Sequence, residues 1–183
     1  NGSGRAALVT LDAGAIPTPL WQHLSARAAR ELNIPPDQFL LTATHTHSVP
    51  WTPAAGFEDK IFEAMRKAAA AARPARMAYG TGVSYINVNR NIIDPKTNRW
   101  WEGPNYDGPS DKTVAVVRFE TLTGEPIAIY YNYGVHGVIT GTLDLVSADI
   151  PGAASNYIEE SLGNGAVAVY SNGAAGDQNP IYF

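Results

Sequence analysis

The chain has no cysteine among its 183 residues. Disulfides and thiolate-bound zinc are therefore excluded, the redox compartment is left undecided, and any metal must be held by His, carboxylate, Tyr or backbone oxygen. Charge is also sparse. Asp, Glu, Lys and Arg make up 16% of the residues, the formal net charge is -4, and no basic cluster appears, which argues against a nucleic-acid partner. No apolar run approaches the ~18 residues of a membrane-spanning helix. No signal peptide is visible, and Asn1-Gly2-Ser3-Gly4 reads as a loop or cloning scar entering a strand, so native targeting information is expected to be missing from this stretch. What is present is a globular composition, 45% hydrophobic, in a chain long enough for one domain with a sizeable core.

Apolar periodicity places the elements. Arg5 to Leu11 reads as a buried strand, followed by Asp12. Thr18-Pro19 supplies a helix start with Thr as N-cap, and Leu20, Leu24, Ala28 and Leu32 form one stripe before Asn33 and Pro35-Pro36 end it. His23 on this helix is read as a surface or packing residue. Phe39 to Ala43 is a strand, and Phe57 to Ala72 an amphipathic helix stopped at Pro74. Met77 to Val88 reads as strand with a break at Gly80-Thr81-Gly82, leading into Asn87-Val88-Asn89-Arg90-Asn91. Ile92 to Asp111 looks irregular, with Trp100, Trp101 and Tyr106. A loop of that length is either a lid or substrate contact, or a surface flap whose tryptophans pack down. Thr113–Glu120 and Pro126–Tyr133 read as a hairpin, Ser147 to about Leu162 as a helix with Asp149 capping it, and Ala166–Tyr170 as a last strand. Helices between strands plus one hairpin predict an α/β architecture, a mixed β-sheet layered with helices.

Polar residues collect where strands end. On a strand, His45 and His47 of Thr44-His45-Thr46-His47-Ser48 would project to one side about 7 Å apart. That suits a metal-bound imidazole beside one free for proton transfer, although His-x-His also occurs as ordinary polar sequence at a strand end. His136 follows its strand as His47 follows its own, and in α/β sheets such ends converge. Imidazoles suit zinc, but two are too few for tight binding. The turn Ser171–Pro180, rich in small residues, is either an anion-binding nest around Gly173 and Gly176 or a tight turn. Arg90 is either a clamp for a carbonyl or carboxylate oxygen or a structural residue.

With these pieces in order, the chain resembles the neutral/alkaline (non-lysosomal) ceramidase family in its catalytic N-terminal domain. The likeness runs through Ala-Thr-His-Thr-His-Ser at 43 to 48, Asn89-Arg90, Asn132-Tyr133-Gly134-Val135-His136-Gly137, Ser147-Ala148-Asp149, Ser171-Asn172 and Gly176-Asp177. The resemblance implies that His45 and His136 bind Zn2+, that His47 serves near the reacting carbonyl, and that Arg90 helps hold it. It implies hydrolysis of the amide of N-acylsphingosine, a lipid-like substrate, and a secreted or periplasmic setting. Two departures stand out. Where the family has Gly-Asp-x-Ser-Pro, this chain has Asn179, which cannot be a nucleophile but can donate a hydrogen bond to a developing oxyanion. Ser48-Val49-Pro50 replaces the usual Ser-Gly-Pro. The family's other zinc ligands, a Glu and a Tyr, lie beyond Phe183. The expectation is therefore a single α/β domain over 1–183 or the larger fragment of one, with a second segment or chain completing the metal site.

Three functions follow as expectations. The first is a zinc-dependent hydrolase attacking an amide or ester carbonyl with a zinc-bound hydroxide, His47 shuttling a proton and Arg90 and Asn179 stabilising the oxyanion. The second is a carbohydrate-active or other non-amidase enzyme on the same metal scaffold, motivated by Trp100-Trp101 and the absent Ser. The third is a non-catalytic binding domain that retains the fold.

Overall fold

A computed structural model describes residues 4–141 and 143–182. Strand β1 (Ala7–Leu11) lies parallel to β2 (Phe39–Ala43), joined by helix α1 (Thr18–Leu32), and helix α2 (Phe57–Ala70) follows. The α1 stripe does what its spacing predicts: Leu24, Ala28 and Leu32 are buried, meeting Ile61, Phe62 and Met65 of α2 over Leu11, Phe39 and Leu41. Leu24 and Phe62 are wholly enclosed, each worth about 1.5–3 kcal/mol in burial. Helix α1 ends as read, with Asn33 left-handed at φ 55°. Its start differs. Pro17 occupies the N-cap position and no side chain caps the helix, so Thr18 is already helical.

The remaining strands are β3 (Ala75–Val83), β4 (Asn87–Ile93), β5 (Trp100–Asn105), β6 (Thr113–Thr121), β7 (Pro126–Tyr133), β8 (Val167–Asn172) and β9 (Gln178–Pro180), with helix α3 (Asp149–Leu162) between β7 and β8. A four-stranded mixed sheet runs β3-β6-β7-β8, antiparallel except for the parallel β7–β8 pair that α3 crosses over. Its core gathers Ile129, Tyr131, Tyr133 and Tyr170 against Ile150, Ala154 and Ile158 of α3. A third sheet, β5-β4-β9, is antiparallel throughout.

Three local expectations are corrected. Gly80-Thr81-Gly82 does not break β3; the ladder to β6 is continuous from Ala75 to Val83, and the chain leaves it at Ser84–Ile86. The stretch 92–111 is not one loop. It carries β5, whose Trp100 and Trp101 pair with Ile93 and Ile92. The small-residue turn also ends in strand, β9, which pairs Gln178 and Asn179 with Asn89 and Val88. Both strands escape sequence reading because Trp-Trp-Glu-Gly-Pro-Asn and Gln-Asn-Pro show no apolar alternation.

Candidate metal centre and active site

The carboxyl ends of β2, β7 and β8 converge. Thr46 bridges to Gly137, the His47 N–H donates to Gly137 O at 2.9 Å, and the His136 N–H donates to Gln178 O at 2.9 Å. The approach demands glycine at 137, where a Cβ would stand 3.0 Å from the Thr46 Cα and 3.2 Å from the His45 carbonyl oxygen.

His45 and His47 do not reach one another by strand alternation. The chain leaves β2 at Ala43, and His45 adopts the left-handed conformation at φ 60°, which is costly for a non-glycine residue. The rings turn inward to centroid distances of 4.8 Å (His45–His47) and 4.7 Å (His45–His136). His45 Nε2 lies 3.1 Å from His136 Nε2 and 3.4 Å from His47 Nε2. Available ligand atoms of all three lie within 4.8 Å of one another.

The outer nitrogens settle what this cluster can hold. His45 Nδ1 donates to Gly14 O and His136 Nδ1 to Ala175 O, each at 2.5 Å. With those N–H groups committed, the two Nε2 atoms face each other, and a neutral imidazole held this way turns its Nε2 lone pair inward. Two acceptors 3.1 Å apart with no proton to share repel, and a cation between them removes the conflict. Carbonyl-anchored imidazoles are also the usual second shell of metal-binding histidines. Tetrahedral zinc with Zn–N near 2.0–2.1 Å would hold its nitrogens about 3.3–3.4 Å apart, close to what is observed. The donor set therefore fits a divalent metal.

Burial lowers the pKa of His136, and the positive charge of Arg90 lowers it further; burial, then His45 and Arg90, do the same to His47. Both rings thus bind protons less readily folded than unfolded. In the metal-free protein this contribution to stability is present in full above the ordinary imidazole value of 6.5 and drains away as the pH falls below it. Thermal melts from about pH 8 to about pH 5 are expected to show Tm falling below that point, with a shallower fall in His136→Gln. An equally steep fall in the variant would remove His136 as its source.

The β5-β4-β9 sheet brings in the remaining polar groups. Asn87 Nδ2 donates to Gly134 O and Asp111 O, each at 2.8 Å, and Asn89 Nδ2 donates to Asp177 Oδ2 at 2.9 Å. These bonds dock β4 onto the turns after β7 and β8. Arg90, only 22% exposed in its side chain, reaches Glu102 Oε1 at 3.4 Å and Asn179 Oδ1 at 3.5 Å, while Asn179 Nδ2 donates to Glu102 at 2.7 Å. The Arg90 Nε is buried with no partner among the described residues. Trp51 stands edge-on to His47 at 6.0 Å. His23, as read, lies on the α1 surface beside Glu58.

With this geometry in place, the sequence comparison is decisive: residues 1–182 match the family described as neutral/alkaline non-lysosomal ceramidase, N-terminal. The chain belongs to that family. It is 32% identical to neutral ceramidase A of Dictyostelium discoideum over 172 residues, covering 79% of this chain and 24% of that protein. It is 29% identical to the neutral ceramidase of Pseudomonas aeruginosa over 162 residues, covering 77% and 24%. The crystal structure of the Pseudomonas aeruginosa neutral ceramidase shares the fold, with a TM-score of 0.77 at 24% identity over 97% of this chain and 32% of that one. A ceramidase complexed with C2 gives 0.72 at 23% identity over 93% and 30%. The chain spans about a quarter of the length of the curated relatives it matches.

In this ceramidase-family chain two carboxylates gain contacts that only the fold supplies. Glu102, which joins Arg90 to Asn179, sits in the stretch taken as irregular, and only β4–β5 pairing brings it across from Asn91. Asp149 is expected as the cap of α3, but the N-cap position is Ala148 and Asp149 is the first helical residue; its carboxylate accepts from Ile150 N–H and, beyond the helix, from Thr140. The anion-nest reading of the small-residue turn is weakened by committed donors: Gly173 N–H goes to Tyr133 O, Ala175 N–H to Gly173 O and Gln178 N–H to Ala175 O. The turn nevertheless borders, with His45 and His136, a cavity of about 280 Å³.

Proposed function

We propose that this chain forms the zinc-holding part of the catalytic domain of a hydrolase that cleaves the amide of N-acylsphingosine-like lipids. One observation carries the reading: the facing Nε2 atoms of His45 and His136, each ring held by a backbone carbonyl on its other nitrogen. The relatives' name, neutral ceramidase, supports the substrate class. Zinc, when bound, supplies a Lewis acid at neutral pH. His45 and His136 would hold it through Nε2, with a second segment or chain completing the metal site. His47, beside His45 and kept neutral by burial, accepts and returns the proton at Nε2. Arg90, 22% exposed in its side chain, offers the planar fork of its guanidinium to the substrate carbonyl oxygen. Asn179 is not a nucleophile. Wholly enclosed, it acts from behind the site: its amide donates to Glu102 and its carbonyl oxygen meets Arg90, which holds both in line.

The test uses the full-length protein with a fluorescent N-acylsphingosine and an aryl glycoside. Hydrolysis of the amide alone is expected, lost on chelation and restored by zinc. Glycoside cleavage, or amide cleavage untouched by chelation, would overturn the reading.

A further inference from the structure

The strongest unassigned arrangement is the polar knot beneath His47. The Asp149 carboxylate, 7% exposed as a residue, accepts from Thr140 N–H at 2.7 Å, Thr140 Oγ at 2.6 Å and Ile150 N–H at 2.8 Å. Thr140 Oγ then meets Ser48 Oγ at 2.8 Å, Ser147 N–H donates to Ser48 O at 2.9 Å, and Thr46 Oγ donates to Ser147 O at 2.7 Å. Gly141, next to Thr140, packs so closely that a Cβ there would stand 3.3 Å from the His47 Cβ. Three segments, 46–48, 139–141 and 147–150, are thus tied together, the Asp149 carboxylate being what holds 139–141 to 147–150.

The backbone marks Asp149 as more than a helix start. It sits at φ 55°, a conformation that non-glycine residues hold only when their surroundings over-determine it. Glycine would adopt it at no cost, but glycine has no carboxylate.

We infer that Asp149 is a positioning residue for His47: its carboxylate holds Thr140 and Gly141 against the His47 side chain and sets the ring's place beside His45. The inference rests on the role given to His47 above. Asp149→Asn and Asp149→Gly separate the carboxylate from the backbone, because both replacements tolerate the left-handed conformation. Thr140→Val removes the hydroxyl relay and leaves the 149 backbone untouched.

In the full-length protein, labelled at histidine and with the His47 imidazole signal assigned by its loss in His47→Gln, both Asp149 variants are expected to displace that signal while that of His23 stays put. Turnover is expected to fall by up to roughly a hundredfold, the cost of misplacing a reacting group by about 1 Å, with KM and zinc content kept. In a His47→Gln background the same change should cost nothing further, since both act through one group. Thr140→Val should shift the His47 signal in the same direction by less. An unmoved His47 signal in both Asp149 variants, or an undiminished turnover loss in the His47→Gln background, would overturn the inference. A wild-type protein that hydrolyses no N-acylsphingosine would instead sink the substrate reading, while the imidazole signal still decides the role of Asp149.

Discussion

His45→Ala and His136→Ala are each expected to strip the protein of zinc and lower amide hydrolysis by roughly a thousandfold or more. The magnitude follows from the several kcal/mol of charge stabilisation a catalytic metal supplies, at about 1.36 kcal/mol per factor of ten. Removing either ring deletes one of the two facing Nε2 ligand atoms and strands a carbonyl, Gly14 O or Ala175 O, that had accepted from its Nδ1–H. Metal analysis of purified variants checks the first half and a turnover assay the second. Zinc content equal to wild type in both variants would refute the ligand assignment, whatever happens to the rate.

His47→Gln is expected to behave differently: zinc retained, KM little changed and turnover lower by roughly a hundredfold to ten-thousandfold, the range of a general acid–base group. The geometry motivates the split. His47 is seated by its backbone N–H on Gly137 O and by the Trp51 ring rather than by a carbonyl-anchored Nδ1 of the His45 and His136 kind. Its Nε2 nonetheless lies 3.4 Å from that of His45, a distance a tetrahedral ion would also accept. Metal content therefore discriminates. If His47→Gln loses zinc as fully as His45→Ala does, the three histidines form a common ligand set and the proton carrier must be sought elsewhere.

Arg90 and Glu102 show why part of the site stayed out of reach of the sequence. Arg90 stands out between two asparagines, but its surroundings depend on β4 pairing with β5 on one side and β9 on the other. Those pairings join residues about a dozen and about ninety positions apart, and neither partner strand carries an apolar period. The asparagines tell the same story. Asn87 and Asn89, polar residues with no apolar signal of their own, are among the most buried polar side chains, because their amides satisfy the backbone and Asp177 where two sheets meet.

By itself the sequence determined the local elements and the chemistry available. Apolar spacing specified α1, α2 and the β6–β7 hairpin, the lack of cysteine confined metal binding to nitrogen and oxygen donors, and His45, His47 and His136 were visible at strand ends. Only the tertiary structure decided that these rings meet: a left-handed turn at His45, a glycine at 137 thin enough for two strand ends to touch, and carbonyls of Gly14 and Ala175 that set which nitrogen faces inward. The physical reason is range. Helix and strand periodicity act over a few residues, whereas a ring's orientation is set by hydrogen-bond partners 31 to 91 positions away along the chain, and no local pattern encodes them.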